Sequence, residues 1–442
     1  MRNSKLSFKK SKEFTSRIER LVPGGAHTYS KGRDQYPELS SSGIIKGSGT
    51  HLWDADGNEI IDWSMGLASV SIGHATPQVN QAVIDTLSQG VNLSRPSNLE
   101  LEAAELFLET TQTDMVKFAR HGSSVTTAAV KLSRAFTGRK IIAVPKEHPF
   151  FSFDDWFIGV TAANFGIPDE LKKFTVTFSY NDLDSLKQLF VQYPNQIACV
   201  LMEPVKFDPP KEGFLEGIRE LCDQNGSLWI LDEMITGLKM GVPGASDYYG
   251  VKPDLNTYGK GFANGFPFAA LTGRSDIMEL GGISRSGDPK LFLLSSTHGA
   301  ESVGLAAMMS TLKLFREENY VSKIWEIGTI LQERLNRIIK LEGLEDFLQL
   351  KGYPCNLLLN ILGPDKELDW TFRTLFMQEI ASHGVLFQGI FIVTPSHTQS
   401  DIGLTCLAFE KACGIYKQAI DTGNAKKLLI GPEIKPVFRA II

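Results

Sequence analysis

Short apolar runs alternate with amphipathic segments along most of this 442-residue chain. Between residues 100 and 305 the runs Val116–Ala119, Ile141–Val144, Thr175–Phe178, Ile197–Met202, Leu228–Leu231 and Phe268–Thr272 read as strands, with helical stretches between them. That alternation predicts an α/β fold with a mostly parallel sheet covered by helices on both faces. Ahead of it, the pattern predicts a helix from Lys10 to Leu21 and a polar, turn-rich arm through Arg33. A hairpin around Asp56-Gly57-Asn58 and a helix from Pro77 to Leu87 follow. After it, residues 301–340 read as one long helical segment, with Leu305, Met309, Leu312 and Phe315 at core spacing. Strands near Asn356–Leu359 and Phe391–Val393 and a helix from Gln399 to Thr422 then read as a small α+β domain. The predicted division is an arm and hairpin belonging to the small domain (1–75), a large domain (76–315) and a C-terminal small domain (316–442).

Composition narrows the function classes. With 43% hydrophobic and 21% charged residues, the chain has the make-up of an ordinary soluble globular protein. A net charge of -5 gives no electrostatic footprint for nucleic acid, and no apolar run approaches a membrane span. Met1-Arg2-Asn3-Ser4-Lys5 lacks the apolar stretch of a secretory leader, so the expected location is cytoplasmic. Cys199, Cys222, Cys355, Cys406 and Cys413 form no CxxC, and the eight histidines show no HxxxH or HExxH spacing, so no metal site is expected.

The candidate chemistry sits between Ser227 and Ala269. A buried strand ends in Asp232-Glu233, and a lone lysine follows in the glycine-flanked turn Tyr258-Gly259-Lys260-Gly261. Alone, Asp232 reads as a helix cap and Lys260 as a solvated surface residue. Together they match what pyridoxal phosphate (PLP) needs, an amine to hold its aldehyde and an anion to keep its ring nitrogen protonated. Two further segments support the pairing. Arg120-His121-Gly122-Ser123-Ser124 leaves a strand and enters a helix, offering backbone N–H groups and hydroxyls to a phosphate. The strand Ile197–Met202 ends in Glu203-Pro204, so two strands terminate in acids where open α/β sheets form their ligand crevice. Ser295-Ser296-Thr297-His298 adds hydroxyls before the long helix.

These blocks, with Val22-Pro23-Gly24-Gly25, Ile72-Gly73-His74, Thr236-Gly237 and Lys252-Pro253-Asp254-Leu255, resemble the class III, fold-type I PLP aminotransferases nearly end to end. Their nearest branch is the glutamate-1-semialdehyde 2,1-aminomutases. The resemblance implies a large domain with a seven-stranded sheet, a smaller α+β domain, and a homodimer with shared active sites. It makes Lys260 the Schiff-base lysine and Asp232 the partner of the pyridine nitrogen. Gly122, Ser123 and Ser124 would hold the phosphate, with Thr297 reaching the phosphate of the neighbouring subunit's cofactor. His148 would stack on the ring, Met234 would support its other face, and Glu203 would lie beside the cofactor.

On the substrate side the chain departs from the mutase pattern. Lys31 and Arg33 stand near the place of a carboxylate-binding arginine, and Gly389 replaces an acid expected near the substrate amine. Arg and Lys are not interchangeable for bidentate carboxylate recognition. Phe150-Phe151 and Asp154-Asp155-Trp156-Phe157 stand where the family has a mobile lid, which makes Trp156 a substrate candidate. The expectation is an aminotransferase moving an amino group from a glutamate-like donor, by way of pyridoxamine phosphate, to a small polar or sugar-like carbonyl acceptor. The alternative is intramolecular transfer of the mutase type.

Overall fold

The computed structural model describes residues 6–441, and the chain divides into two compact units. One comprises the residues up to 68, 72–76 and 322–437, the other 69–71, 77–321 and those from 438 on.

The first unit opens with the helix Lys9–Ile18, which stops short of the predicted Leu21; that side chain is 80% exposed and has no apolar face to extend. Strands β1 (Ile44–Ser48), β2 (His51–Asp54) and β3 (Glu59–Asp62) follow, with β2 and β3 forming the predicted hairpin. Asp54 closes it by accepting the N–H groups of Asp56 and Asn58 at 3.0 and 2.8 Å.

The second unit is built on a seven-stranded sheet. Its strands are β4 (Met115–Ala119), β5 (Ile141–Pro145), β6 (Thr175–Phe178), β7 (Ile197–Met202), β8 (Leu228–Asp232), β9 (Leu255–Gly259) and β10 (Ala269–Gly273). They lie in the order β4-β10-β9-β8-β7-β5-β6, with β10 antiparallel to both its neighbours and the other pairings parallel. Every residue of β7 and β8 is buried, which is why both read as continuous apolar runs. Alternate side chains serve opposite faces. Cys199, Leu201, Leu228 and Ile230 pack with Val125, Ala129 and Leu132 of the helix Gly122–Thr137. Val200, Met202, Trp229 and Leu231 pack with Leu186 and Phe190, and with Leu215 and Ile218, of two helices on the other side.

The segment predicted as one helix over 301–340 is two, Ser302–Glu317 and Tyr320–Glu342. Asn319 interrupts it with φ 50°, a left-handed conformation that no helix continues through. The remaining strands, β11 (Leu348–Tyr353), β12 (Asn356–Ile361), β13 (Val385–Leu386) and β14 (Ile390–Ile392), belong to the first unit. β11-β12-β14 form an antiparallel sheet, and β13 joins β3 in parallel. Among the described residues no helix is long and apolar enough to cross a membrane.

Candidate active site

Parallel pairing places the carboxyl ends of β9, β8, β7 and β5 side by side, and at or just past those ends stand Lys260, Asp232, Glu203 and His148. Strands about 4.8 Å apart bring such neighbours into direct electrostatic contact. β4 ends at the same edge and feeds the helix Gly122–Thr137. That helix begins at Gly122 behind His121, so the N–H groups of Gly122 and Ser123 have no carbonyl to reach within it. Met234 joins the pieces. A Cβ on Gly122 would lie 2.9 Å from its sulfur, and one on Gly259 2.7 Å, so a side chain at either position would make the thioether shift.

Asp232 is buried and accepts the Met234 N–H at 3.0 Å and the Thr257 hydroxyl at 3.1 Å, both on Oδ1. Burial, then the neighbouring Glu203, raises its pKa from the ordinary 3.8 to about 7, against the pull of Lys260 and the two hydrogen bonds. The adjacent Glu233 has a structural task. Its carboxylate accepts the N–H groups of Ala245 and Ser246 at 2.9 and 2.6 Å and the Thr236 hydroxyl.

Lys260 keeps part of its surface open to solvent. Desolvation and the charge of Lys206 nonetheless push its amine below the ordinary lysine range, with Glu203 and Asp232 opposing. Its own backbone is left-handed, φ 43°, at the start of a short 3₁₀ turn. His148 is buried, and its Nδ1 accepts the Glu203 N–H at 3.1 Å. Burial holds its pKa at about 4, so the imidazole is neutral, and its buried Nε2 has no hydrogen-bond partner. The Tyr180 ring lies 5.1 Å away.

A profile for the family described as aminotransferase class-III matches residues 35–389. The chain belongs to that family. Its members use PLP, and this chain is a PLP-dependent enzyme of fold type I. A glutamate-1-semialdehyde 2,1-aminomutase of Geotalea daltonii is 29% identical over 92% of this chain and 99% of its own. A second, from Lachnoclostridium phytofermentans, is 32% identical over 73% and 77%. Among solved structures, the PLP-bound FumI protein of Sphingopyxis superposes with TM-score 0.85 at 24% identity, over 93% of this chain and 97% of its own. A glutamate-1-semialdehyde aminomutase of Pseudomonas aeruginosa gives 0.80 at 20%, over 92% and 94%.

The features of this class III chain fit the cofactor on its own geometry. Gly122 and Gly259 both lie against the Met234 thioether, and the buried His148 Nε2 is unpartnered. Unpaired helix N–H groups suit a phosphate, and a buried acid stands beside the lysine.

The other predicted residues fall as follows. Ser123 is buried with its hydroxyl accepting the Phe153 N–H at 3.2 Å, while the Ser124 hydroxyl lies 3.2 Å from His121 Nδ1. Thr297 lies in an exposed loop. Lys31 and Arg33 are exposed and line a cavity of about 620 Å³ in the first unit. Arg33 is engaged by Glu19 at 3.4 Å and Glu38 at 3.7 Å.

The lid expectation needs correction at its aromatic half. Trp156 is 8% exposed and Phe157 3%, both within the core of the sheet unit, and the Trp156 indole N–H donates to Thr127 at 2.8 Å. An amphipathic turn packs its aromatics when a core face is available, which leaves Phe150 and Phe153 as the exposed rings.

Gly389 has φ 87°, and a Cβ there would lie 2.2 Å from Arg373 Nη2. That guanidinium donates to the Gln388 carbonyl at 2.8 Å, and the Gln388 amide donates to the Ser30 carbonyl at 2.7 Å. Sequence reasoning passed over Thr257, Lys206 and Arg373. Thr257 hides in a strand of mixed polarity, and the other two carry no spacing signal.

Proposed function

We propose that this chain transfers an amino group from a glutamate-like donor to a small polar or sugar-like carbonyl acceptor. The observation that carries the proposal is the row of Lys260, Asp232, Glu203 and His148 on four neighbouring strand ends. Bound there, PLP supplies an electron sink that makes a substrate's α proton removable. Lys260 would hold the cofactor through its amine and would serve as the base that takes up and returns a proton. A depressed amine pKa suits that task, because a base must be free of its proton to take another. Asp232 would hold the ring nitrogen's proton, which would give the buried carboxylate a cationic partner. Gly122, Ser123 and Ser124 would hold the phosphate at the helix start, and His148 and Met234 would hold the ring.

The residues held out for substrate recognition in this proposal are Lys31, Arg33 and Gly389. Where the mutase resemblance puts a carboxylate for the substrate amine, this chain has Gly389 with the Arg373 guanidinium against it. The second reading, intramolecular transfer, has the names of the curated relatives in its favour.

The working assembly in this proposal is a homodimer. The segment carrying Thr297 lies beside residues 91–93, with the Ser302 N–H donating to the Val91 carbonyl at 3.0 Å. Leu93 and Phe292 are each exposed, 50% and 68%, and in this proposal a second copy would cover them.

The test is the absorption spectrum of purified enzyme titrated with amino acids one at a time, with mass analysis of the products. A donor that bleaches the chromophore and leaves its keto acid supports transamination; isomerisation of an amino aldehyde without any donor supports the mutase. Lys260→Ala is expected to remove the borohydride-reducible chromophore and lower turnover by orders of magnitude, and near-normal turnover would refute both readings.

A further inference from the structure

The cavity of about 620 Å³ in the first unit has the size of pockets that take small metabolites. Every residue lining it belongs to that unit. Its walls include the helix Lys9–Ile18, the arm from Lys31 to Ile44, the chain after β3, and Leu386. These walls are pinned together. Asp56 of the hairpin accepts the N–H groups of Lys10 and Ser11 at 2.9 and 2.8 Å, and the Ser11 hydroxyl donates to the Ser42 carbonyl at 3.1 Å.

Three features of the lining describe an occupant. Hydroxyl-bearing residues, among them Thr15, Ser16, Ser40 and Tyr36, share it with the apolar side chains of Leu52 and Leu67. That mixture matches a polyol, which presents hydroxyls at its edges and C–H groups between them. The Ser40 hydroxyl is buried with no hydrogen-bond partner, a state that native interiors rarely leave unfilled. The cations, finally, are unequally engaged. Glu38 takes Lys12 at 3.3 Å and Arg33 at 3.7 Å, and Glu19 holds Arg33 at 3.4 Å. Asp62 is buried and already accepts the Ser64 and Met65 N–H groups at 2.8 and 3.0 Å, with His74 Nε2 2.9 Å away. Among the described residues Lys31 has no acid at ion-pairing distance. One positive charge in the lining is therefore uncompensated.

We propose that this cavity binds a small polyhydroxylated monoanion, a sugar acid by class, with Lys31 as counterion to its carboxylate and Ser40 as an inner hydrogen-bond partner. The inference rests on the proposed substrate role of the arm and deepens it, because it separates Lys31 from Arg33 and names the ligand's chemistry.

The test is calorimetric titration of the purified enzyme with gluconate, with no amino donor present so that nothing turns over. Sorbitol, which lacks the carboxylate, and hexanoate, which lacks the hydroxyls, are the comparison ligands. Gluconate should bind at least about tenfold more tightly than either, the worth of a hydrogen bond to a charged group. Lys31→Met should weaken gluconate by about tenfold and leave sorbitol unchanged. Arg33→Met should leave gluconate binding nearly unchanged, since Glu19 and Glu38 already hold that guanidinium. Ser40→Ala should weaken both polyols. Gluconate that binds no better than sorbitol or hexanoate, or that binds equally well to Lys31→Met and Ser40→Ala, overturns the inference. If Ser40→Ala fails to fold, the exposed Lys31 decides alone, and an unmoved affinity in Lys31→Met is refutation. A sugar acid that binds and gains an amine at its carbonyl marks the cavity as the acceptor's. One that binds and is not consumed marks it as a separate ligand's, and either result supports the site. Transamination that fails with every donor and acceptor would sink the proposed function while leaving this titration intact.

Discussion

Replacing Asp232 by an asparagine is expected to stabilise the cofactor-free protein while crippling the loaded one. The carboxylate is buried at the end of β8, beside Glu203, with two hydrogen bonds on a single oxygen. Its pKa stands at about 7 against an ordinary 3.8. The folded chain thus binds this proton more tightly than the unfolded chain. Stability consequently falls as pH climbs from about 4 to about 7 and is flat above that. The rise is worth about 4 kcal/mol at 1.36 kcal/mol per pH unit, a ceiling that structural relaxation around the charge reduces to about 2–4. The amide of the Asp232→Asn variant keeps an oxygen to accept from Met234 and Thr257 and carries no charge to bury. The assay is urea unfolding of both proteins after removal of PLP, at pH 8 and pH 4.5. The variant should be more stable by about 2–4 kcal/mol at pH 8, with the gap narrowing to about 1 at pH 4.5. With PLP bound the order should reverse, because the ring nitrogen then lacks its anion. A cofactor-free variant no more stable than wild type at pH 8, or a gap that acidification leaves unchanged, would refute the reasoning.

Two further predictions concern the scaffold. Asp254 is buried and accepts the Trp229 N–H at 2.7 Å and the guanidiniums of Arg219 and Arg274 at 2.8 and 2.7 Å, tying β8 to the turn before β9. Asp254→Asn should lower stability by about 2–4 kcal/mol in denaturant unfolding, the arginines' solvent access and their second acids limiting the loss. Gly389→Ala forces a left-handed alanine against Arg373 Nη2 and should cost about 1–2 kcal/mol from the backbone alone. Adding Arg373→Met should relieve the contact but leave that backbone cost, and full recovery of the urea midpoint would show the strain to lie elsewhere.

Much of this site is legible in the sequence because a parallel sheet writes its own signature. β7 and β8 are buried on both faces, so each is an unbroken apolar run, and the first acid after such a run stands at the carboxyl edge. That reasoning locates Glu203 and Asp232 without any coordinates. It fails at β9, whose Leu-Asn-Thr-Tyr-Gly sequence hides a fully buried strand. Thr257 is tolerated there because the interior offers its hydroxyl a polar partner, Asp232 itself, while the buried Asn256 Nδ2 has none. The residue that conceals the strand is thus the one that serves the site.

The Trp156 segment fails differently. Aromatic and acidic residues in one loop say that a ring can be exposed, but the choice between core and solvent depends on a cavity that only the packed sheet creates. Lys206 was illegible for a third reason. Lysines at i+3 from a glutamate are common on solvated surfaces, where such a pair is worth little. Its meaning changes only once Glu203 is known to be buried between His148 and Asp232. What the one-dimensional pattern records well is which strand ends meet; what it does not record is the charge that arrives from a neighbouring turn.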